Sequence, residues 1–353
     1  MDFALFQEGV DQIVQGGIAD TVGFHLLGEP LLYPRIFEAI GYAHRRGLRT
    51  ELNTNGALLT EEWVRSLAEA GLNLLAISLQ MLDEQAHECR ESRLPFRAYY
   101  AGVLQAVRQM KALGGRTEVT LVVMNTATKR FFDVDQTMRI DGDGHSFKEK
   151  LVPLLVDTCT AVGRNIRPEE AQATLKRLNL LKPRVIRLDA QVTVSILPFA
   201  DWGNAFTSRK VYPARIGYCD YALTNVGVLS NGEVTICCAD YDGRTSLGNL
   251  YHEPLATMLA SEQARAIRQG FDRMRVAHPY CQRCIGGTSR MKAAFKGLAS
   301  IGFFKLIGFR PAGKLEEVSL RPQGRRSPGR PESPVEPQVL RRGQAPIVAS
   351  TSH

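Results

Sequence analysis

The feature that most constrains this chain is a repeated strand–turn–helix rhythm that begins at residue 21 and sets a polar group at each strand end. Residues 21–27 form an apolar run that stops at Gly28-Glu29-Pro30. Residues 34–46 then bring Ile36, Phe37 and Ile40 round at helical spacing and end at Gly47. Residues 48–53 read as a strand leading into Thr54-Asn55-Gly56. Thr60 reads as the N-cap of a helix through Trp63 and Leu67, which Gly71 stops before a third strand at 73–79. The alternation continues with a helix at 96–113, a strand at 117–124, helices near 147–162 and 168–180, and a strand at 184–197. Strands joined by helical crossovers imply a parallel sheet with right-handed connections, and such sheets set their ligand groups at the C-terminal ends of the strands.

The texture changes near Phe206, where segments shorten, Cys and Gly concentrate, and a helix near 254–269 is the main regular element. Three regions follow: 1–205, 206–300, and a basic Pro/Arg-rich tail at 301–353. The tail has too few apolar residues to offset the entropy of ordering, so it is expected to be mostly disordered. At 353 residues and 44% hydrophobic, the chain can bury one large core and a smaller second one. The net charge is +8, with much of the excess between Arg310 and Arg342. That tail lacks interleaved aromatics and contains Glu332 and Glu336, a poor composition for a nucleic-acid partner. No apolar run approaches the ~18 residues that span a bilayer, and the N-terminus has no signal-peptide pattern, so the expected location is cytoplasmic. The apolar stretch 299–308 is expected to be a helix packed on the second domain rather than a membrane contact.

Of the seven cysteines, Cys219, Cys237, Cys238, Cys281 and Cys284 gather within 66 positions (219 to 284), while Cys89 and Cys159 lie apart and read as small buried apolar residues. Two sequence-distant pairs of thiols can close a tetrahedral sulfur cage around zinc or an iron–sulfur cluster, and spacing alone does not separate the two. Ser230-Asn231-Gly232 reads as a hairpin turn before Cys237. Cys238, adjacent to Cys237, is expected to point elsewhere and to be the spare. His25, between apolar neighbours, reads as an interior residue.

The stretch from Phe24 to Gln80 resembles the middle of a radical S-adenosylmethionine (SAM) barrel. Leu27-Gly28-Glu29-Pro30 is similar to the family's Gly-Gly-Glu-Pro motif with Leu27 at the first position, and Asn53-Thr54-Asn55-Gly56 to its Thr-Asn-Gly motif. Ser78 stands where the family often has a polar residue. The resemblance implies that Gly28, Glu29, Pro30, Asn53, Asn55 and Ser78 contribute to a SAM pocket, with the turn's carbonyls and the Glu29 carboxylate accepting from the methionine ammonium. Cys219, then Gly232-x-x-x-x-Cys237, then Cys281-x-x-Cys284 resembles the SPASM class of iron–sulfur domain. That implies one auxiliary [4Fe–4S] cluster on Cys219, Cys237, Cys281 and Cys284. The expected fold is therefore α/β: a partial (β/α)6 TIM-like radical SAM barrel lacking its first strand, followed by a small Cys-rich SPASM-like domain.

Family chemistry needs a further [4Fe–4S] cluster on a Cys-x-x-x-Cys-x-x-Cys loop, where SAM is split to a 5′-deoxyadenosyl radical that abstracts a substrate hydrogen. Here the first cysteine is Cys89, and Phe6, Val10, Ile13 and Val14 mark residues 1–20 as the helix that follows such a loop, with Met1-Asp2 inside it. The expectation is that this chain alone is inactive, through a misplaced start or through degradation of the gene, and that the second cluster belongs to a longer form. The implied partners are a substrate among peptides, proteins, sugars or small molecules, and an electron donor such as a flavodoxin or ferredoxin. The competing expectation is a non-catalytic iron–sulfur or zinc module.

Overall fold

The structure is a computed structural model; it describes residues 1–88, 94–125, 143–180, 184–198, 204, 209–306, 316–319 and 347–349. Cys89 and most of the tail beyond 306 lie outside the described residues.

The strands are β1 (Thr21–Phe24), β2 (Arg49–Thr54), β3 (Leu74–Gln80), β4 (Glu118–Asn125), β5 (Arg184–Arg187), β6 (Val192–Pro198), β7 (Val226–Val228), β8 (Glu233–Thr235), β9 (Ser246–Asn249), β10 (Glu316–Ser319) and β11 (Ile347–Ala349). They form one sheet in the order β10-β5-β6-β4-β3-β2-β1-β11-β7-β8-β9. β1 to β4 and β6 are parallel, with helices as crossovers, as the alternation implies. The run 184–197, expected as one strand, is two: β5 and β6 pair antiparallel, Arg187 opposite Thr193. Asp189 makes the reversal, its carboxylate accepting from the amides of Gln191 at 2.8 Å and Val192 at 2.7 Å. Two short strands come from the tail: β10 joins the edge at β5, and β11 lies between β1 and β7.

Alternation along the parallel strands divides the sheet into two unlike faces. Leu52, Leu75, Ile77, Leu121 and Val194 are fully buried on one face, under helices such as Phe96–Ala112 and Gly144–Ala161. Each such side chain contributes roughly 1.5–3 kcal/mol of burial. On the other face Asn53, Ala76, Ser78, Thr120 and Thr193 remain half-buried, and Thr193 donates to Thr120 at 3.0 Å. The first helix, Phe3–Gly16, is capped by Asp2, whose carboxylate accepts from Ala4 N and Leu5 N, and it buries Leu5, Phe6, Val10 and Ile13. The sequence reading set Met1-Asp2 inside that helix; the structure makes Asp2 its cap. Thr60 caps the helix Glu61–Glu69 through Trp63 N, as read from the sequence.

The second domain hangs on β7–β9. Gly232, at φ 87°, turns β7 into β8 at the expected hairpin. The expected helix at 254–269 is two, Leu255–Leu259 and Glu262–Asp272, because Ser261 caps the second. Among the described residues no helix is long and apolar enough to cross a membrane.

Candidate cofactor pocket and thiol cluster

The C-terminal ends of β1, β2 and β3 are tied together by one carboxylate. After β1 the chain turns at Gly28, whose φ of 94° suits glycine. Glu29 follows, 9% exposed, and Pro30 opens a short 3-10 turn. Glu29 Oε1 accepts from Leu31 N at 3.1 Å and from Thr54 Oγ1 at 2.6 Å, and Oε2 accepts from Asn55 N at 2.7 Å. The sequence reading counted this carboxylate among the acceptors for a ligand ammonium; in the fold, three protein donors already engage it. Its direct effect is to hold two turns in register.

Asn55 closes its own turn, its Oδ1 accepting from Ala57 N at 2.8 Å. Gly56 sits at φ 81°, and a Cβ there would come within 2.9 Å of Ile77 Cγ2. Ser78 Oγ donates to Asn53 Oδ1 at 2.7 Å, and Tyr99 OH donates to the Asn55 carbonyl at 2.7 Å. The structure thus brings Gly28, Glu29, Pro30, Asn53, Asn55 and Ser78 to one end of the sheet. Sequence reasoning missed Tyr99, which arrives from a later helix and reads as one more core position, and Gln80, which ends β3 at φ 58° beside a break in the β3–β4 register. His25, one residue past β1, has a buried Nδ1 with no partner, and desolvation pushes its pKa down to about 4, so the ring is neutral at pH 7.

The thiols gather in the second domain. Cys219 precedes the turn Tyr221–Thr224, Cys237 and Cys238 follow β8, and Cys281 and Cys284 lie on the helix Pro279–Ile285. Cys238 does not point elsewhere. It donates to Cys237, which lowers the Cys237 pKa against the cost of burial and raises its own. Burial, reinforced by the neighbouring Cys237 charge, pushes Cys219 up to about 11. Burial also raises Cys281, on which the charges of Cys219, Cys237 and Cys284 act. Asp240, fully buried, pins the Cys237–Cys238 turn by accepting from Thr245 N and Thr245 Oγ1 at 2.6 Å each, Arg244 N at 2.9 Å and Thr235 Oγ1 at 3.0 Å. Tyr221, its buried hydroxyl unpartnered, faces the same thiols. Cys159 is an isolated buried thiol, as expected.

Among the described residues no three His, Cys, Asp or Glu side chains converge on a point that would hold a single metal ion. The donor set fits a larger group. Cys219, Cys237, Cys281 and Cys284 come from three separate segments and act on one another electrostatically, and thiolates are the ligands that iron–sulfur clusters take.

Residues 4–134 match the family model of the radical SAM superfamily, and residues 219–285 match the SPASM model, an iron–sulfur cluster-binding domain. The chain is similar to the tungsten-containing aldehyde ferredoxin oxidoreductase cofactor-modifying protein of Pyrococcus furiosus, 33% identical over 82 residues, which is 23% of each chain. It is similar also to the AdoMet-dependent heme synthase of Methanosarcina barkeri, 43% identical over 61 residues, 17% of this chain and 18% of that protein. The matched stretches therefore span about a quarter or less of those relatives. Among solved structures, native anSMEcpe with bound AdoMet aligns over 87% of this chain and 89% of its own, at 14% identity and a TM-score of 0.43.

Proposed function

Because the chain belongs to the radical SAM superfamily and carries a SPASM-type iron–sulfur domain, we propose that it is the SAM-binding and auxiliary-cluster portion of a hydrogen-abstracting enzyme. The observation that carries this reading is the Glu29 staple. It fixes the turns after β1 and β2 at the strand ends, beside the half-buried pair Asn53 and Ser78. These are the acceptors and donors that an amino-acid ligand needs, and their positions are set before it binds. When bound, SAM and its cluster supply the radical chemistry; the residues here hold, orient and shield.

Cys219, Cys237, Cys281 and Cys284 would hold one auxiliary [4Fe–4S] cluster. The hydrogen bond from Cys238 lowers the Cys237 pKa, and Asp240 keeps the loop in place. A sequence fact favours a second reading: no Cys-x-x-x-Cys-x-x-Cys occurs here. We therefore assign hydrogen abstraction to a polypeptide that also supplies three such thiolates, and to this chain alone the role of a non-catalytic iron–sulfur module. The substrate class stays open among peptides, proteins, sugars and small molecules, and the electron donor is of flavodoxin or ferredoxin type.

Anaerobic reconstitution tests the cluster. The chain should take up about four irons and absorb broadly near ~400 nm, as thiolate-ligated clusters do. One tightly held zinc with no iron uptake would make the second domain a zinc ribbon.

A further inference from the structure

The turn that follows Cys219 is held from several sides. Asn225 N donates to the Tyr221 carbonyl at 2.8 Å, and Leu223 N and Thr224 N each donate to the Asp220 carbonyl at 3.0 Å. Thr224 Oγ1 donates to that same Asp220 carbonyl at 2.8 Å. The amides of Ala222 and Tyr221 both donate to the Cys219 thiol. The turn therefore closes on the Cys219 sulfur, and the Tyr221 side chain leaves a fixed backbone beside it.

The Tyr221 ring is only partly buried, yet its hydroxyl is shut from solvent and has no hydrogen-bond partner. The ring packs on Leu26 and Leu229, buried side chains with nothing to accept a proton. Leu26 belongs to the first domain, just past β1, and packs closely on β7: a Cβ on Gly227 would lie 3.1 Å from Leu26 Cδ2. The charges that reach the hydroxyl are those of the thiols Cys238, Cys237 and Cys219, from two separate segments.

A buried hydroxyl without an acceptor carries the full cost of leaving water and gains no bond in return. Such orphans are rare, and a missing ligand is one of their ordinary explanations. Tyr280 makes the contrast. It also feels thiols, Cys237 and Cys284, but its hydroxyl donates to the Ala239 carbonyl at 3.3 Å. Near the thiols, then, one phenol has its proton engaged by the protein and the other holds its proton for something else. We propose that the Tyr221 hydroxyl donates a hydrogen bond to a sulfur of the auxiliary [4Fe–4S] cluster and raises the cluster's reduction potential. The proposal rests on the iron–sulfur reading of the second domain. Reduction adds one electron, and so negative charge, to the sulfurs, and a donor stabilises that form more than the oxidised one. The hydroxyl keeps its proton throughout, and no covalent bond is made or broken. Tyr221 is a tuning residue and not a ligand.

The test compares Y221F and Y280F with the unaltered full chain, iron-free and after anaerobic reconstitution. Y221F removes one oxygen. In the iron-free chain it should melt as high as the unaltered chain or higher, because it deletes an unsatisfied group. Y280F should melt lower, because it strands the Ala239 carbonyl. After reconstitution both should hold about four irons, as one such cluster requires. The cluster is then titrated with Ti(III) citrate and followed by electron paramagnetic resonance. At a given potential the reduced-to-oxidised ratio in Y221F should fall by about threefold or more, on a scale of ~59 mV per tenfold for one electron. Y280F should keep the unaltered value. In D2O, electron–nuclear double resonance of the reduced cluster should lose one exchangeable coupling in Y221F and in neither other chain. Full iron content with an unmoved potential overturns the proposal and leaves the cluster reading standing. Loss of iron from Y221F overturns it too, since Tyr221 would then be a ligand or a support of the site. Zinc uptake with no iron sinks the cluster reading and the proposal together.

Discussion

The carboxylate of Glu29 accepts from the backbone amide of Asn55, 2.7 Å away, and so fastens the turn after one strand to the turn after the next. With the 2.6 Å bond from Thr54 Oγ1, it makes the pocket wall a single piece. Glu29→Ala would leave a largely buried amide and hydroxyl without their acceptor. We expect a loss of about 1–3 kcal/mol in urea unfolding, the usual cost of such orphaned groups. SAM affinity by calorimetry should fall with it. Unfolding and SAM affinity that match the unaltered chain would remove Glu29 from both roles.

Gly56 offers a purely steric test. Its φ of 81° and the 2.9 Å approach of Ile77 to a would-be Cβ both oppose a side chain. Gly56→Ala should destabilise by about 1 kcal/mol or more, since alanine disfavours this backbone region. A chemical-denaturation midpoint that does not move would show that the turn relaxes freely.

Cys238 should matter without being a ligand. In the iron-free chain its hydrogen bond favours the Cys237 thiolate, so Cys238→Ala should raise the Cys237 pKa and slow its alkylation by iodoacetamide near neutral pH. Iron uptake on reconstitution should persist in Cys238→Ala and disappear when Cys281 and Cys284 are both replaced by Ala. Loss of iron from the Cys238 variant would make Cys238 one of the ligands.

Asp189 links the β5–β6 hairpin to pH. Partial burial works to raise its pKa, but the Lys111 ammonium at 2.7 Å and the amides of Gln191 and Val192 outweigh burial and hold it below the ordinary value. A depressed folded pKa means stability that is present above the unfolded value near ~3.9 and is lost as pH falls through the lower folded value. Asp189→Asn should therefore flatten the decline of stability below about pH 4, measured as melting temperature against pH.

What the sequence made legible follows backbone demand. Gly28 and Gly56 mark turns that only certain residues accept, and Thr60 and Gly232 mark a cap and a hairpin. Gly28, Glu29, Pro30 and Asn55 sit at or beside such turns, whereas Asn53 and Ser78 lie on strands and were named only through the resemblance. Tyr99 was hidden because its bond to Asn55 crosses 44 positions and leaves no local trace. The β5–β6 reversal was hidden because residues 184–197 stay largely apolar across it, and only Asp189 signals the turn. The argument that adjacent cysteines diverge holds for an extended strand. Cys237 and Cys238 lie in a turn instead, closed by Asp240 N donating to the Cys237 carbonyl, and there both thiols face one interior.

The two unlike faces of the parallel sheet have an evolutionary corollary. Leu75 and Ile77 carry the fold, while Ala76 and Ser78, one residue away on the same strand, lie half-buried on the other face. A substitution at the first pair is screened for stability and one at the second for ligand fit, with little exchange between them. A lineage with this sheet can change what it recognises by altering every second residue, and keep the same core throughout.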